Sequence, residues 1–246
     1  MDTAQLTISL ETSGRSGSAA ISTGESLIEQ RDFSVPMAHS REFLPVIKNL
    51  LDKHGVTPKE VKKVYISVGP GSFTGLRIAV TFAKIMYLAN KQIKIAAVST
   101  LDALAQNVVG QANNTALPDR FGCILDAKRG QFFTAVFQKN QCCESLVDGY
   151  KKICQDSLMG VEEFVEIFAK PDNPVWLLGE GLVFYKDRFK SEGIKFFDEN
   201  LWIPNAKNVY IIGRKLAKAG KFTDPLTLVP AYIRKPQLGK SKIHGK

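Results

Sequence analysis

The chain has 246 residues, 44% of them apolar, and its 33 Lys and Arg against 24 Asp and Glu leave a formal net charge of +9. That is enough apolar material for one large core or two small ones, and the charge biases the chain toward polyanions without naming one. No run of 18 apolar residues occurs and no basic segment followed by an apolar stretch opens the chain, so a soluble cytoplasmic protein with no membrane association is expected. Cys123, Cys142, Cys143 and Cys154 have no metal-ligand spacing, and the adjacent pair does not readily bridge to itself, so reduced thiols are expected.

In chain order, the apolar pattern predicts strands over 6–10, 18–22 and 26–31, a helix over about 40–53, a strand over 63–68, a helix over 72–90 and a strand over 93–98. The 40–53 helix carries Phe43, Leu44, Ile47, Leu50 and Leu51 at helical spacing, broken by Pro45, which removes a backbone hydrogen bond and should bend its start. Gly69, Gly71 and Gly75 follow the 63–68 strand. Thr74 stands where the third glycine of G-x-G-x-x-G belongs and no Gly-Lys-Ser/Thr follows, so neither generic phosphate motif is met. The glycines either allow a tight strand-to-helix turn capped by Ser72 or Thr74, which is the commoner case, or approach a ligand.

The 72–90 helix is apolar nearly all the way round, which calls for cover from two sides. Gly75, Ala79 and Ala83 recur every fourth residue and line one face that another helix can approach closely. Phe73, Leu76, Val80 and Tyr87 are then available for further contact. This helix and the 40–53 helix are expected to form a partner surface with Ala79 at its closest point, so that Ala79→Arg abolishes pairing and leaves the monomer folded.

The second part repeats the order of the first. It has a strand over 122–125, a turn over 126–130, strands over 132–137 and around 150–154, a helix over 157–168, a strand over 175–178, a helix around 182–189 and a short strand over 195–197. Two copies of a three-strand meander followed by alternating helices and strands point to duplicated α/β halves. The layout is that of the actin-like ATPase fold, two ribonuclease-H-like subdomains, here 1–100 plus about 206–246 and 101–205. Nucleotide phosphates in that layout sit between two turns, at 11–17 and 126–130 in this chain. A last helix with Val209, Ile212, Leu216 and Ala219 on its apolar face ends at Gly220, packing on the first half or closing the second. Beyond Pro236 the tail holds Lys240, Lys242 and Lys246 with no acid, a frayed end or a phosphate contact.

The segment Gly69-Pro70-Gly71-Ser72-Phe73-Thr74-Gly75-Leu76-Arg77-Ile78 resembles the hallmark of the bacterial TsaB family, formerly called YeaZ. Four more stretches agree in order and spacing: Leu6-Thr7-Ile8-Ser9-Leu10-Glu11-Thr12-Ser13, Ala38-His39-Ser40-Arg41-Glu42-Phe43-Leu44-Pro45, Leu125-Asp126-Ala127-Lys128-Arg129-Gly130-Gln131 and Val229-Pro230-Ala231-Tyr232-Ile233-Arg234. Glu11 replaces the family's usual Asp, and Gln131 its usual Glu. The resemblance implies a noncatalytic subunit that dimerises with TsaD and supports formation of N6-threonylcarbamoyladenosine at position 37 of tRNAs reading ANN codons. A small ATPase, TsaE, would reset that complex. No firmly bound cofactor is implied, and room is left for ATP or ADP at the boundary with TsaD. Without TsaD, the apolar patch should pair with itself as a homodimer.

The residues argue in the same direction. The catalytic relative TsaD carries two metal-ligand histidines four residues apart, and the matching stretch 98–104 contains none, with Thr100 and Leu104 unable to supply that pair. His39, His54 and His244 are scattered, and His39 reads as a cap or packing residue. Ser13, Ser16 and Ser72 lie in turns without a G-x-S-x-G elbow or a partner histidine. Asp126 and Glu11, with Ser13 and Arg129 beside them, can flank a cleft as an acid and base pair, although turn formation alone also explains Asp126. Arg234, Lys235, Lys240 and Lys242 are the candidates for tRNA phosphate contact. An actin-like phosphotransferase or ATPase, and a metallopeptidase-like hydrolase, are the alternatives.

Overall fold

Two five-stranded sheets with the same strand order organise the chain. The computed structural model describes residues 5–33, 39–111, 117–140 and 145–234. In the first half, β1 (Leu6–Glu11), β2 (Ser18–Thr23) and β3 (Ser26–Asp32) form an antiparallel meander. Then α1 (His39–Lys53) leads to β4 (Val61–Gly69), and α2 (Phe73–Ala89) to β5 (Lys94–Ser99), both strands parallel to their inner neighbours in the order β3-β2-β1-β4-β5. After α3 (Thr100–Val109), the second half repeats the pattern with β6 (Arg120–Asp126), β7 (Gln131–Lys139), β8 (Tyr150–Gly160), α4 (Val161–Phe168), β9 (Val175–Leu178), α5 (Leu182–Tyr185) and β10 (Ile194–Phe196). Its order is β10-β9-β6-β7-β8, with β6 in the place of β1. This is the actin-like ATPase fold built from two ribonuclease-H-like halves.

Burial explains the placement. All six residues of β1 are buried, as expected of a central strand covered on both faces. On one face α1 and α2 close a core around Leu50, Ile66, Ala79 and Ala83. On the other lies α6 (Ala206–Lys218), packed on β1, β2, β4 and β5, with Gly213 against the Tyr65 ring. Buried Asn208 on α6 donates to the Ala103 carbonyl at 2.9 Å and so ties α6 to α3. A second core fills the other half around Phe121, Phe132, Phe137, Phe164 and Phe189.

Two elements differ from the sequence prediction. α3 has no predicted counterpart because residues 100–106 are buried on every side, leaving no polar face to produce a helical period. β8 extends to Gly160, its residues 157–160 paired with 131–134 of β7, so α4 begins at Val161 and not at 157. α1 runs through Pro45 as one helix.

Candidate functional site

Two concavities border the N-terminal end of α2. The first is a cleft of about 670 Å³ between the halves, lined by the turn after β1 (Ser13, Gly14, Arg15), the turn after β6 (Asp126 to Arg129), the start of α2, Glu180 with Phe184, and residues 231–234. The second is an open apolar groove of about 1290 Å³ between α1 and α2. Phe73 lines both.

The turn after β1 is locked from beneath. Glu11 is fully buried, and its Oε1 accepts from the Ser13 backbone N–H at 2.6 Å and from the Ser13 hydroxyl at 2.5 Å. Burial pushes its carboxyl up to about 7 against the opposing pull of those hydrogen bonds. The Ser13 carbonyl accepts from Ser72 N–H at 2.6 Å, and Thr12 Oγ1 donates to the Gly75 carbonyl at 2.7 Å. Ser72 is the N-cap of α2, accepting from Gly75 N–H at 3.3 Å. A Cβ on Gly71 would stand 2.6 Å from the Ser13 carbonyl oxygen, and one on Gly69, whose φ is +119°, would stand 2.9 Å from the Ala231 carbonyl oxygen. These glycines serve close backbone approach within the fold.

On the far side of the cleft, Lys128 and Arg129 have φ of 66° and 60°. Asp126 accepts from Lys128 N–H at 2.7 Å and pairs with its ammonium at 2.6 Å, an Asx-type turn that holds this conformation. A strap formed by residues 231–234 joins the halves. Ala231 N–H donates to the Val68 carbonyl at 2.7 Å, and the Tyr232 ring stacks on Phe73 with centroids 5.3 Å apart. Tyr232 also accepts from Arg77 Nε at 3.2 Å, and Arg234 donates to Gln131 Oε1 at 2.5 Å.

Several expected site residues fall elsewhere. Glu11 lies beneath the cleft, shielded by Ser13, so it forms no acid and base pair with Asp126 across it. Leu50 of α1 and Gly75, Leu76, Ala79, Val80 and Ala83 of α2 are buried in the chain's own interior and present no surface to a partner, because those faces of the two helices are turned inward. Half-buried Tyr87 packs on the same core. Phe43, Ile47 and Leu51 form the groove floor, while Leu44 and Phe73 project from its rim. Ile78 and Ile85, absent from the expected partner surface, also line the groove, and with Thr74 and Thr81 they fall at i, i+4, i+7 and i+11 on one face of α2. Arg234, expected to reach tRNA with a flexible tail, is bonded within the fold. Lys235, Lys240 and Lys242 lie outside the described residues, as do Cys142 and Cys143, while Cys123 is a buried free thiol and Cys154 a half-buried one. Among the described residues no group of three or more His, Cys, Asp or Glu is placed to hold a metal ion, and no helix is long and apolar enough to cross a membrane.

Residues 34–224 match the family model described as TsaD, tRNA N6-adenosine threonylcarbamoyltransferase. The protein named tRNA threonylcarbamoyladenosine biosynthesis protein TsaB in Bacillus subtilis is 28% identical over 234 residues, covering 92% of this chain and 93% of that one. The chain belongs to this family, in its TsaB branch. TsaB of Escherichia coli is 24% identical, covering 86% of this chain and 87% of its own. Among solved structures, YeaZ from Pseudomonas aeruginosa superposes with a TM-score of 0.76 at 22% identity, over 93% of this chain and 99% of that one. Four of the five TsaB-like stretches named above converge at one place: Ser13, Ser72, Gln131 with Lys128, and Tyr232 with Arg234 form the clasp around the cleft. The fifth, 38–45, supplies the groove wall through Phe43, Leu44 and Pro45.

Proposed function

We propose that the chain acts in tRNA N6-threonylcarbamoyladenosine biosynthesis as a noncatalytic subunit that docks TsaD across the α1–α2 groove. The observation that carries this reading is the groove: Leu44 is 58% exposed, Ile85 56% and Phe73 45%, around a depression whose charged lining is confined to Lys48, Asp52 and Arg77. A lone soluble chain seldom leaves that much contiguous apolar surface in water, and covering the exposed half of each such side chain contributes about 1 kcal/mol. TsaB relatives spanning nearly the whole chain support the pathway.

Two helices from each subunit would make a four-helix seam, and a second copy of this chain would use the same surface about a two-fold axis when TsaD is absent. Homodimer and heterodimer then compete. TsaE and the tRNA, one reading ANN codons and modified at position 37, engage the chain through the TsaD complex in the cytoplasm, and any ATP or ADP sits at the TsaD boundary.

The test is a titration of TsaD with wild-type chain and with the double variant Leu44→Glu, Ile85→Glu. Both side chains are exposed in the monomer, so the fold survives, while two unpaired charges enter the seam and weaken binding by about 100-fold or more. Tightly bound TsaD in the double variant, or ATP turnover by the isolated wild-type chain, would overturn the reading.

A further inference from the structure

Glu180 reaches across the cleft from the other half of the molecule and sits on the turn after β1. Its two carboxylate oxygens lie 3.2 and 3.0 Å from the Arg15 backbone nitrogen, which donates to them. A Cβ on Gly14 would stand 2.5 Å from Oε2, so the carboxylate fills space that only a glycine leaves open. Phe184, four residues further on, lies under the Arg15 guanidinium at 5.0 Å. The turn is thus held from the opposite half by one anion and one ring.

The Arg15 N–H, with no Cβ on Gly14 in front of it, is a backbone donor that an anion's oxygens can reach, as Glu180's do. The surroundings add charge of the same preference. Arg15, Lys128, Arg129 and Arg234 line the cleft against Asp126 and Glu180, four cations to two carboxylates, and Asp126 is already engaged by Lys128. A phosphate entering this cleft meets a favourable field, but its place on the turn is taken.

We propose that Glu180 is a built-in anion that occupies this seat and keeps phosphate-bearing ligands off the turn after β1. A phosphate can bind there only by displacing the carboxylate or by lying beside it as a second negative charge within about 4 Å, which disfavours binding. One side chain on β9's outgoing loop then decides whether the cleft accepts a phosphate. The inference does not depend on docking to TsaD, since it concerns the isolated chain.

The experiment titrates inorganic pyrophosphate into the full chain by calorimetry at low ionic strength, using wild type, Glu180→Ala and Glu180→Gln. The Ala variant empties the seat and should bind at least about tenfold tighter than wild type, with Gln between them because it removes the charge and keeps the shape. Adding Gly14→Val to Glu180→Ala refills the seat with an uncharged group and should abolish the gain, whereas a gain that persists places the binding elsewhere and overturns the proposal. Pyrophosphate affinity of folded Glu180→Ala within about twofold of wild type overturns it as well. Independently of any folding defect in the variants, the Arg15 amide proton resonance of wild type should move as the Glu180 carboxylate titrates with acid. An Arg15 amide insensitive to carboxylate titration would show that the seat is empty in solution.

Discussion

Replacing Glu11 by glutamine tests how the fold tolerates an ionisable group in its most central strand. Glu11 is fully buried, and burial raises its carboxyl from 4.5 in an unfolded chain to about 7 in the folded one. The folded state therefore binds the proton more tightly. Glu11's contribution to stability is fully present below pH 4.5, declines as pH rises through the interval, and is lost above about 7, where Glu11 is ionised in both states. The gap between 4.5 and about 7, at about 1.4 kcal/mol for each pH unit, corresponds to about 3 kcal/mol. The substituted amide does not titrate, and its oxygen can still accept from Ser13 N–H and the Ser13 hydroxyl. Its NH₂ group could turn to Ser67 on β4, whose buried hydroxyl influences the carboxyl and makes no hydrogen bond of normal geometry. The stability difference between Glu11→Gln and wild type, measured by urea denaturation from pH 4.5 to 8, should grow by about 3 kcal/mol in favour of the variant, because the titration of all other groups cancels between the two chains. A difference independent of pH would mean that Glu11 is charged or solvated at no cost, and the buried position assigned to it would be wrong.

Two further outcomes follow from the packing. Ala79→Arg should unfold the chain or lower its stability by several kcal/mol, since Ala79 has no exposed surface and an arginine there has no partner in the core; a folded variant with an unchanged melting temperature would refute that placement. Gly179→Ala should cost about 3 kcal/mol, because φ is +127° and a methyl would overlap the Ile124 carbonyl of β6, and a melting point within about 2 °C of wild type would contradict it.

The strands and their duplication were legible because β1, β4, β6 and β7 are apolar runs of strand length bounded by turn residues, and because the same order occurs twice. The orientation of α2 was not. Gly75, Ala79 and Ala83 announce that something approaches closely, and small residues accept a strand of the same chain as readily as a helix of another. Only tertiary structure decides between them, and here the sheet took that face, leaving Phe73 and Ile85 outward and Ile78 half-buried in the groove. The clasp around the cleft was illegible for a different reason. Arg15 and Glu180 are separated by 165 positions, and Arg234 and Gln131 by 103, with no periodic pattern linking either pair.

Groove and cleft share Phe73, and contacts run from it across the molecule. Phe73 projects 45% exposed at the groove rim, its ring is covered by the Arg77 guanidinium at 3.6 Å, and its other neighbour is Tyr232 of the strap. The same Arg77 that covers Phe73 donates to Tyr232. From Tyr232 the strap continues two residues to Arg234, whose guanidinium holds Gln131 at the base of the opposing turn. The groove belongs to the first half and Gln131 to the second, so one aromatic pair and a short strap form a continuous chain of contacts from the groove rim to the opposing turn of the cleft.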